Sequence, residues 1–543
     1  MRDQWQEYYR RGWWRRRTFL DDLGDAAAAD PGKPAVVDHR ADGGGRVVGY
    51  GELAAAVDRY AGALVDLGVE PGQIVAVQLP NWWKAAALPL ACARAGVAVC
   101  PVLPFYGRRE LAHILGLTEA RVLVTVPAWQ EKPLASWAVE LAGELPRLDH
   151  VVVAGGQGPA GTVAFDEAFG GAGSAGGPGS AARGGELDRR QLGPDDPWQV
   201  LFTSGTTGEA KGVVHSQNTL YAACRGYLEV LGLDGGLVTS VTHALTHQAG
   251  FGQGLLAALL VGGTQVWQDT WDGDVLLDLV ERHRVTQVYG APTFQLDVLD
   301  AQEARPRDVS SLERVVTGSA PVPPHLVERI RDVLGVRTFS LWGMTENGTV
   351  TITGRDDPQD WAAHSDGRPI EGMEVRIDPA GLEDQPEGTG RLLVRGAAQC
   401  LGYLHRDELY AAALDDDGWF DTGDLARDDG RGGIRVAGRV KEIVIAHGFN
   451  VPVPEVEAAL AAHPKVREVA VVGVTDPDAD EQVCAVVTAA GEPPTLEELR
   501  AHLEGQGMMP WFWPARLEVV DDLPKTTSGK VRKVELRERL TRA

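Results

Sequence analysis

The chain has 543 residues, of which 44% are apolar, and its formal net charge is -24. This length exceeds one compact core, so we expect two or more domains. The negative charge argues against nucleic acid and acidic membranes as partners. An anionic ligand would have to be held by a few well-placed cations.

The cysteine pattern and the N-terminus predict a cytoplasmic enzyme. Five scattered cysteines without CxxC spacing suit a reducing compartment and argue against a zinc ribbon. The first 20 residues contain acidic side chains and lack the apolar centre of a signal peptide, so we expect an amphipathic helix packed on the body. Apolar runs such as LLAALLV are too short to span a bilayer.

The predicted fold class is α/β, with a large N-terminal domain and a small, mobile C-terminal α+β domain. Residues 50–125 and 275–350 alternate helical patterns with short apolar strands, which is typical of stacked parallel sheets covered by helices. Glycine-delimited strands at about 367–436 indicate an antiparallel β subdomain. The Gly/Ala-rich segment 154–190 is predicted to be a surface loop. We place the domain boundary between residues 438 and 439.

The strongest local signal is the sequence VLFTSGTTGEAKGVVHS, an apolar strand followed by a loop of glycines and hydroxyl residues. Backbone N–H groups, hydroxyls and a lysine together can surround a polyphosphate. The spacing is not that of a Walker A loop, because Ala210 precedes Lys211 where that loop has a glycine. The pattern therefore predicts a different kind of nucleotide phosphate loop.

Here the chain resembles the adenylate-forming (ANL) superfamily, and within it the AMP-dependent acyl-CoA synthetases. TSGTTGEAKG is similar to the phosphate loop of that family, with Ala210 in place of its usual proline. Further motifs follow in the family's order: LTHQAGF, GSAP, WGMTE, WFDTGD, GRVKEI and PKTTSGK. The sequences of these motifs are most similar to those of ligases that act on cyclic, aromatic or short aliphatic acids. The resemblance covers about residues 20–540 and implies ATP and Mg²⁺ as cofactors.

The resemblance assigns most motif residues to the nucleotide. Thr345 and Glu346 would meet the α-phosphate and magnesium, with Thr203 as a second metal contact. Trp342 would stack on adenine in place of the family's tyrosine. The residues predicted to bind ATP are Thr203, Ser204, Gly205, Thr206, Thr207, Gly208, Lys211, Ser319, Ala320, Pro321, Trp342, Gly343, Met344, Asp424 and Arg439.

Three further roles concern catalysis and the acid. By resemblance, Lys530 bridges the substrate and the α-phosphate during adenylation, Lys211 holds phosphate, and His247 is an aromatic gate. Lys525 is expected to be an ordinary solvated lysine. His243 and His247 have a spacing that could ligate zinc, but no third ligand accompanies them. The acid pocket is expected at His247, Phe251, Tyr289, Gly290, Ser319, Gly343 and Met344, and its small or apolar character favours a compact, apolar acid.

The acceptor is left open between CoA and an amine. The resemblance places the hinge at Lys441, and the turn after it would line the acceptor channel once the small domain rotates. CoA ligases usually have Arg-Gly-Gly-Glu-Asn in that turn, whereas this chain has His447 and Phe449 on either side of Gly448. CoA is the first hypothesis. The alternative is transfer from an adenylated acid, or from nitrite, to an amine, as in amide ligases and ATP-dependent diazotases.

Two other predictions complete this interpretation. A non-catalytic binding protein is disfavoured, because the expected catalytic and nucleotide-binding residues are all present. The partners are predicted to be small molecules only, and a homodimer is compatible with the sequence.

Overall fold

The protein is described from a computed structural model, which covers most of the chain. The residues described are 2–170, 180–203, 210–379, 388–440, 444–446, 449–474, 482–526 and 529–542.

Most strands are short and belong to five sheets. In chain order they are β1 (Pro34–His39), β2 (Arg46–Gly49), β3 (Ile74–Val77), β4 (Ala98–Pro101), β5 (Val122–Thr125), β6 (His150–Val153), β7 (Val163–Ala164), β8 (Pro197–Phe202), β9 (Gly212–Ser216), β10 (Val238–Val241), β11 (Thr264–Gln268), β12 (Gln287–Gly290), β13 (Arg314–Gly318), β14 (Arg337–Met344), β15 (Gly348–Ile352), β16 (Arg368–Pro369), β17 (Met373–Asp378), β18 (Gly390–Gly396), β19 (Gly402–Tyr403), β20 (Phe420–Asp428), β21 (Ile434–Arg439), β22 (Val444–Ala446), β23 (Phe449–Val451), β24 (Val466–Val474), β25 (Gln482–Ala489) and β26 (Arg516–Val519).

Helices alternate with these strands over most of the chain. The α-helices are α1 (Arg2–Arg11), α2 (Phe19–Ala29), α3 (Tyr50–Asp66), α4 (Trp83–Ala95), α5 (Arg108–Thr118), α6 (Leu134–Glu144), α7 (Phe165–Phe169), α8 (Ser180–Arg190), α9 (Gln217–Leu231), α10 (Ala257–Leu260), α11 (Gly273–His283), α12 (Pro292–Ala304), α13 (Pro324–Leu334), α14 (Asp407–Ala411), α15 (Val453–Ala461), α16 (Leu496–Gly505) and α17 (Lys533–Arg542). A π-helix spans Gly250–Leu256, and 3₁₀ turns span Trp361–Ala363 and Pro510–Phe512.

Two large, mainly parallel sheets form the N-terminal part. One has the strand order β16-β15-β14-β13-β12-β10-β11-β1-β2 and the other has the order β19-β9-β8-β4-β3-β5-β6-β7. The largest apolar cluster combines buried residues of α3, α4 and α9 with residues of both sheets. Helices between parallel strands cover the sheets as βαβ units require. The predicted α/β fold class is confirmed.

Two smaller β structures follow in the chain. Strands β17, β18, β20 and β21 form an antiparallel sheet in that order, as glycine-delimited strands predict. The C-terminal part has a sheet of β24, β25 and β26, and its core contains apolar residues of α15 and α16. The short hairpin of β22 and β23 pairs Ala446 with Phe449. The C-terminal part is therefore an α+β unit with its own apolar core.

The segment at 154–190 is more ordered than its composition suggests. Strand β7 and helices α7 and α8 lie in it, while residues 171–179 are outside the described residues. Phe165 and Phe169 stack on each other with ring centroids 4.6 Å apart and pack edge-on against Tyr60. Leu187 of α8 is buried as well. The prediction of a surface loop was wrong where these few large apolar side chains reach the core.

The N-terminal helix packs on the body of the protein, as its sequence predicts. Trp5 of α1 packs near Trp14, with ring centroids 5.0 Å apart, so the N-terminal helix lies on the body. All five cysteines are buried and free. In the described part of the chain, no helix combines the length and the apolar character that crossing a membrane requires.

Candidate active site

The phosphate loop joins two neighbouring strands of the second large sheet. β8 and β9 pair antiparallel, and the backbone N–H of Thr203 donates to the carbonyl of Lys211 at 3.0 Å. Ser204, Gly205, Thr206, Thr207 and Gly208 lie outside the described residues. Lys211 Nζ lies 4.9 Å from the centroid of the Tyr403 ring. The two ends of the loop are therefore held together at Lys211, whose ammonium group contacts the Tyr403 ring.

Glu346 is a buried carboxylate next to this cation. Its side chain accepts a hydrogen bond from the Tyr403 hydroxyl at 2.8 Å, and the residue is 7% exposed. Burial raises the pKa of Glu346, while the Tyr403 hydrogen bond and the charges of Lys211 and Arg439 act in the opposite direction. Placing an oxyanion in a low-dielectric site is costly without a counter-charge. A divalent cation would supply that counter-charge, and a nucleotide phosphate could approach Glu346 only together with such a cation.

Trp342, Asp424 and Arg439 form one connected group, and Trp342 lies on β14, the strand that precedes the turn containing Glu346. The Trp342 Nε1–H donates to Asp424 Oδ2 at 3.0 Å. Arg439 Nε lies 3.0 Å from Asp424 Oδ1, because β20 and β21 pair these two residues directly. The three residues come from three distant motifs. The structure thus brings together the side chains predicted to contact adenine and ribose.

Two histidines stack on each other in the segment that follows β10. The rings of His243 and His247 have centroids 5.1 Å apart, and Tyr289 packs on His243 at 5.4 Å. His243 Nε2 lies 3.3 Å from Ser319 Oγ. Burial lowers the pKa of His247 to about 4 and lowers that of His243 as well, with the neighbouring His247 adding to the effect. Both rings are therefore uncharged at neutral pH.

The two histidines do not form a metal site with acidic or sulfur ligands. Across the described residues, His, Cys, Asp and Glu side chains gather nowhere in a group of three or more that could hold a metal. His247 Nδ1 accepts the backbone N–H of Ala249 at 3.2 Å, so one of its nitrogens is occupied locally. This segment leads into the π-helix Gly250–Leu256, a kind of distortion that is frequent at functional sites.

The other residues predicted for the acid pocket have different environments. Ser319 has a φ of +68°, an uncommon value for a residue with a side chain, at the end of β13. A Cβ at Gly343 would lie 2.0 Å from the carbonyl oxygen of Gly348, so only glycine fits there. Met344 pairs with Gly348 across β14 and β15. Phe251 packs on Trp198 in the core, with ring centroids 5.6 Å apart, and its place in the acid pocket stays a prediction.

The loop carrying Lys530 docks on the N-terminal part. Gly529, with a φ of +79°, is so close to α12 that a Cβ would lie 2.7 Å from Thr293 Oγ1 and 3.2 Å from the Phe294 ring. The segment Ala291–Phe294 directly follows Tyr289 and Gly290 at the end of β12. The loop closes on itself through the Lys530 backbone N–H, which donates to Thr526 Oγ1 at 3.1 Å. Lys530 is thereby held at the junction with the predicted acid pocket.

The family models of known enzymes match both parts of the chain. The model for AMP-binding enzymes matches residues 23–404, and the model for the AMP-binding enzyme C-terminal domain matches residues 455–530. The chain belongs to the AMP-binding enzyme family. The predicted ANL resemblance is confirmed, and so is the class of ATP-dependent, AMP-forming acid ligase.

Individual relatives and a solved structure are similar to nearly the whole of this AMP-binding enzyme. The chain is 31% identical to the medium-chain fatty-acid–CoA ligase of Escherichia coli (strain K12), and the alignment covers 98% of this chain and 92% of the relative. It is 35% identical to a methyl-dioxo-octahydroindenyl-propanoyl:CoA ligase of Mycobacterium tuberculosis, with coverage of 90% and 93%. The structure of the amide bond synthetase McbA from Marinactinospora thermotolerans superposes with a TM-score of 0.80 at 29% identity, covering 96% and 99%.

Sequence reasoning missed two residues of the site. Tyr403, on β19, contacts both Glu346 and Lys211. His215 is buried on β9, where its Nε2–H donates to the Thr345 carbonyl at 2.7 Å and burial lowers its pKa to about 4. His215 lies next to the end of the phosphate-loop segment, and a histidine within the apolar strand four residues after Lys211 was a usable signal. Tyr403 had no such signal, because its partners are far away in the chain.

The prediction for Lys525 was wrong, and most of the residues predicted for the hinge and the acceptor channel lie outside the described residues. Lys525 is not a solvated lysine, because its ammonium lies 2.6 Å from Glu468 Oε1 and 2.8 Å from Oε2. Lys441, His447 and Gly448 are outside the described residues, and Phe449 is described only by its backbone. Their roles as hinge and acceptor channel stay predictions.

Proposed function

We propose that this enzyme adenylates a compact carboxylic acid at the Lys530 loop and then transfers the acyl group to CoA. The docking of Gly529 against Thr293 and Phe294 carries this proposal, because it sets the Lys530 loop against the start of α12, the helix that begins shortly after Tyr289 and Gly290. Attack of the acid on the α-phosphate concentrates negative charge, so catalysis depends on positioned cations. In this proposal, the C-terminal part supplies Lys530 as one of those cations, and the phosphate-loop segment supplies Lys211.

For the nucleotide, we infer that Asp424 accepts bonds from the ribose hydroxyls and that Trp342 lies against adenine. Arg439, already paired with Asp424 at 3.0 Å, would contact the nucleotide from the domain junction. Lys211, Thr203 and the loop residues Ser204 to Gly208 would hold the phosphates. Ser319, Ala320 and Pro321, in the turn after β13, would border adenine.

Magnesium would bind at Glu346. A buried carboxylate of raised pKa beside Lys211 suits a hard divalent cation, which prefers oxygen ligands. Thr345 and the Thr203 hydroxyl are the neighbouring oxygen donors in this proposal. The metal would neutralise phosphate charge as pyrophosphate leaves.

We propose a compact acid with a ring. The matched CoA ligases include one whose named substrate contains an octahydroindenyl ring. Tyr289 and the uncharged His243 and His247 supply flat faces for such a ring. Gly343 is required by the close pairing of β14 with β15 at Gly348, and its place in the acid pocket stays a prediction.

The acceptor proposal favours CoA, because the first relatives named are CoA ligases. A second candidate is transfer to an amine, which the likeness to an amide bond synthetase over 96% of this chain favours. Adenylation of nitrite remains a prediction of the sequence alone. We also propose that residues 439–543 form the hinged domain, that Lys441 is its hinge, and that the enzyme works in the cytoplasm.

ATP–pyrophosphate exchange over a panel of cyclic, aromatic and short aliphatic acids tests the adenylation step. We expect exchange with at least one ring acid, and absence of exchange with every acid would overturn the proposal. AMP release that depends on CoA would support the CoA step, whereas AMP release that depends only on an amine would favour the second candidate.

A further inference from the structure

An open cavity of about 590 Å³ lies between the N-terminal part and the C-terminal α+β unit. Its walls come from the loops after β10 and β11, the start of α12 and the segments around Arg467 and Asp521. It is separate from the predicted ATP site, because neither Glu346 nor Asp424 lines it. This volume is in the range of small-molecule sites.

The cavity reaches the place where the acyl adenylate would form. Its lining includes Thr242 and Ala244, on either side of His243, and Gly529, which precedes Lys530. Thr242 also abuts Gly290, since a Cβ there would lie 2.6 Å from Thr242 Oγ1. A ligand in the cavity would therefore lie beside the acid pocket.

Aromatic rings form much of the apolar lining. Phe105 and Trp129 are in edge-to-face contact at 6.4 Å, and Trp271 and Phe294 are in edge-to-face contact at 4.9 Å. All four residues line the cavity. Aromatic faces attract both flat apolar groups and cations.

The charged lining is acidic. The carboxylates outnumber the cations by three, and the charged residues are Asp269, Asp297, Glu468, Asp521, Asp522, Arg467 and Lys525. Both cations are already paired, Lys525 with Glu468 at 2.6 Å and Arg467 with Asp297 at 3.5 Å. Asp269 instead accepts the Trp82 Nε1–H at 3.1 Å through one oxygen and the Ala41 backbone N–H at 3.1 Å through the other, and each carboxylate oxygen can accept a further hydrogen bond. Such a lining repels polyanions and attracts an ammonium group.

A buried hydroxyl adds a second, independent sign of a ligand. Thr488 of β25 lines the cavity and is 4% exposed, and its Oγ1 lacks a hydrogen-bond partner among the described residues. An unpaired buried hydroxyl costs about 1–3 kcal/mol, so such groups are normally satisfied by a ligand or by water. Thr488 can both donate and accept a hydrogen bond.

We propose that this cavity binds a primary amine with an aromatic or cyclic body, and that the amine takes the acyl group in the domain arrangement of this structure. The inference rests on the adenylation step of the proposed function and gives the enzyme an amide-forming activity besides thioester formation. The rings hold the apolar body, and the carboxylates around Asp269 hold the ammonium group.

The chemical step balances without any further reactant. The ammonium first gives one proton to water, and the nitrogen lone pair then attacks the carbonyl carbon of the acyl adenylate. The bond between that carbon and the phosphate oxygen breaks, and its electron pair leaves with AMP. The second proton of the new C–N intermediate goes to solvent, which leaves the amide and AMP.

Binding of phenethylamine to the full-length protein tests the site without any acid or ATP. Isothermal titration should show saturable binding, and 2-phenylethanol, which has the same ring without the charge, should bind at least about tenfold more weakly. Asp269→Asn should weaken phenethylamine binding by about tenfold. Asp521→Asn, an exposed change, gives a second variant, and Asp166→Asn, a surface carboxylate outside the cavity, is the matched control.

Amide formation is then measured with an acid that gives ATP–pyrophosphate exchange. Mass spectrometry should detect the N-phenethyl amide with saturation in amine, and Asp269→Asn should raise the KM for phenethylamine. Absent or equal binding of the two probes would overturn the proposal. So would amide formation that is linear in amine and unchanged in Asp269→Asn, or displacement of phenethylamine by CoA. Loss of exchange alone would count against the adenylation step, because amine binding is measured independently.

Discussion

The indole N–H of Trp342 donates a 3.0 Å hydrogen bond to Asp424, which also lies 3.0 Å from the Arg439 guanidinium. Trp342 thus fixes the carboxylate expected to hold ribose, besides offering a face to adenine. A phenyl ring would keep the face and lose the hydrogen bond.

Trp342→Phe should therefore weaken ATP binding. A hydrogen bond to a charged group contributes about 1.5–3 kcal/mol, which predicts a rise in the KM for ATP of about tenfold or more. The KM for the acid should change little. Trp361→Phe, a tryptophan that packs beside His364, is the control, and an unchanged KM for ATP in Trp342→Phe would show that the bond does not orient Asp424.

Lys530→Ala should slow adenylation by about 10²- to 10³-fold, the usual cost of removing one group that stabilises developing charge. ATP binding should persist, because all the residues proposed to contact the nucleotide except Arg439 precede the C-terminal domain, and Lys530→Ala leaves Arg439 intact. ATP–pyrophosphate exchange and equilibrium ATP binding measure the two effects. Lys465→Ala is the matched change, since this lysine pairs with Glu498 at 2.8 Å within the C-terminal unit. Equal exchange rates in the two variants would remove the role proposed for Lys530.

Glu346→Gln should stabilise the ligand-free enzyme at neutral pH while impairing metal-dependent adenylation. Burial raises the folded-state pKa of Glu346 above its ordinary value of 4.5, so folding takes up a proton when pH lies between the two values. The resulting loss of stability appears as pH rises above about 4.5 and persists at higher pH. The Tm advantage of the variant should vanish below that pH, and a constant advantage would contradict the assignment.

His247→Phe should make the enzyme less sensitive to mild acid. Burial lowers the pKa of His247 to about 4, so between pH 6.5 and 4 the unfolded chain binds a proton that the folded protein does not. Stability is unaffected above pH 6.5 and falls as pH drops, by at most about 3 kcal/mol for one histidine. Urea unfolding at pH 7 and pH 5 measures this difference. His364→Phe is the control, and parallel losses in wild type and His247→Phe would contradict the prediction.

The double variant His447→Gly with Phe449→Glu should raise the rate of CoA-dependent AMP release. Side chains in this turn would narrow the path of the thin pantetheine arm, and glycine removes one of them. The rate of ATP–pyrophosphate exchange should stay the same. An unchanged CoA rate would mean that the two side chains do not restrict the acceptor.

Short motifs predicted which side chains would lie together better than any other feature of the sequence. Trp342, Asp424 and Arg439 come from separate motifs and are joined in the structure, whereas their roles, and those of Glu346 and Lys530, stay predictions from the family resemblance. Tyr403 could not be found this way, because its role depends on pairing of β19 with β9.

Composition was a poorer guide than motifs to packing. The segment 154–190 contains few large apolar residues, yet Phe165 and Phe169 bury enough surface to order part of it. Lys525 looked like a tail lysine, but the fold places Glu468 beside it. In each case a single long-range contact outweighed the local pattern.

The fit of Gly529 against Thr293 and Phe294 also bears on whether ATP is hydrolysed when no acid is bound. In the proposed mechanism, the C-terminal unit supplies Lys530 to the reaction centre when it lies against α12, where a side chain at residue 529 would clash with Thr293. A nucleotide bound while that unit is away from α12 would lack the group that promotes attack on its α-phosphate. Closure of the unit would then limit hydrolysis of ATP in the absence of an acid, and the lack of a side chain at residue 529 would permit the close contact.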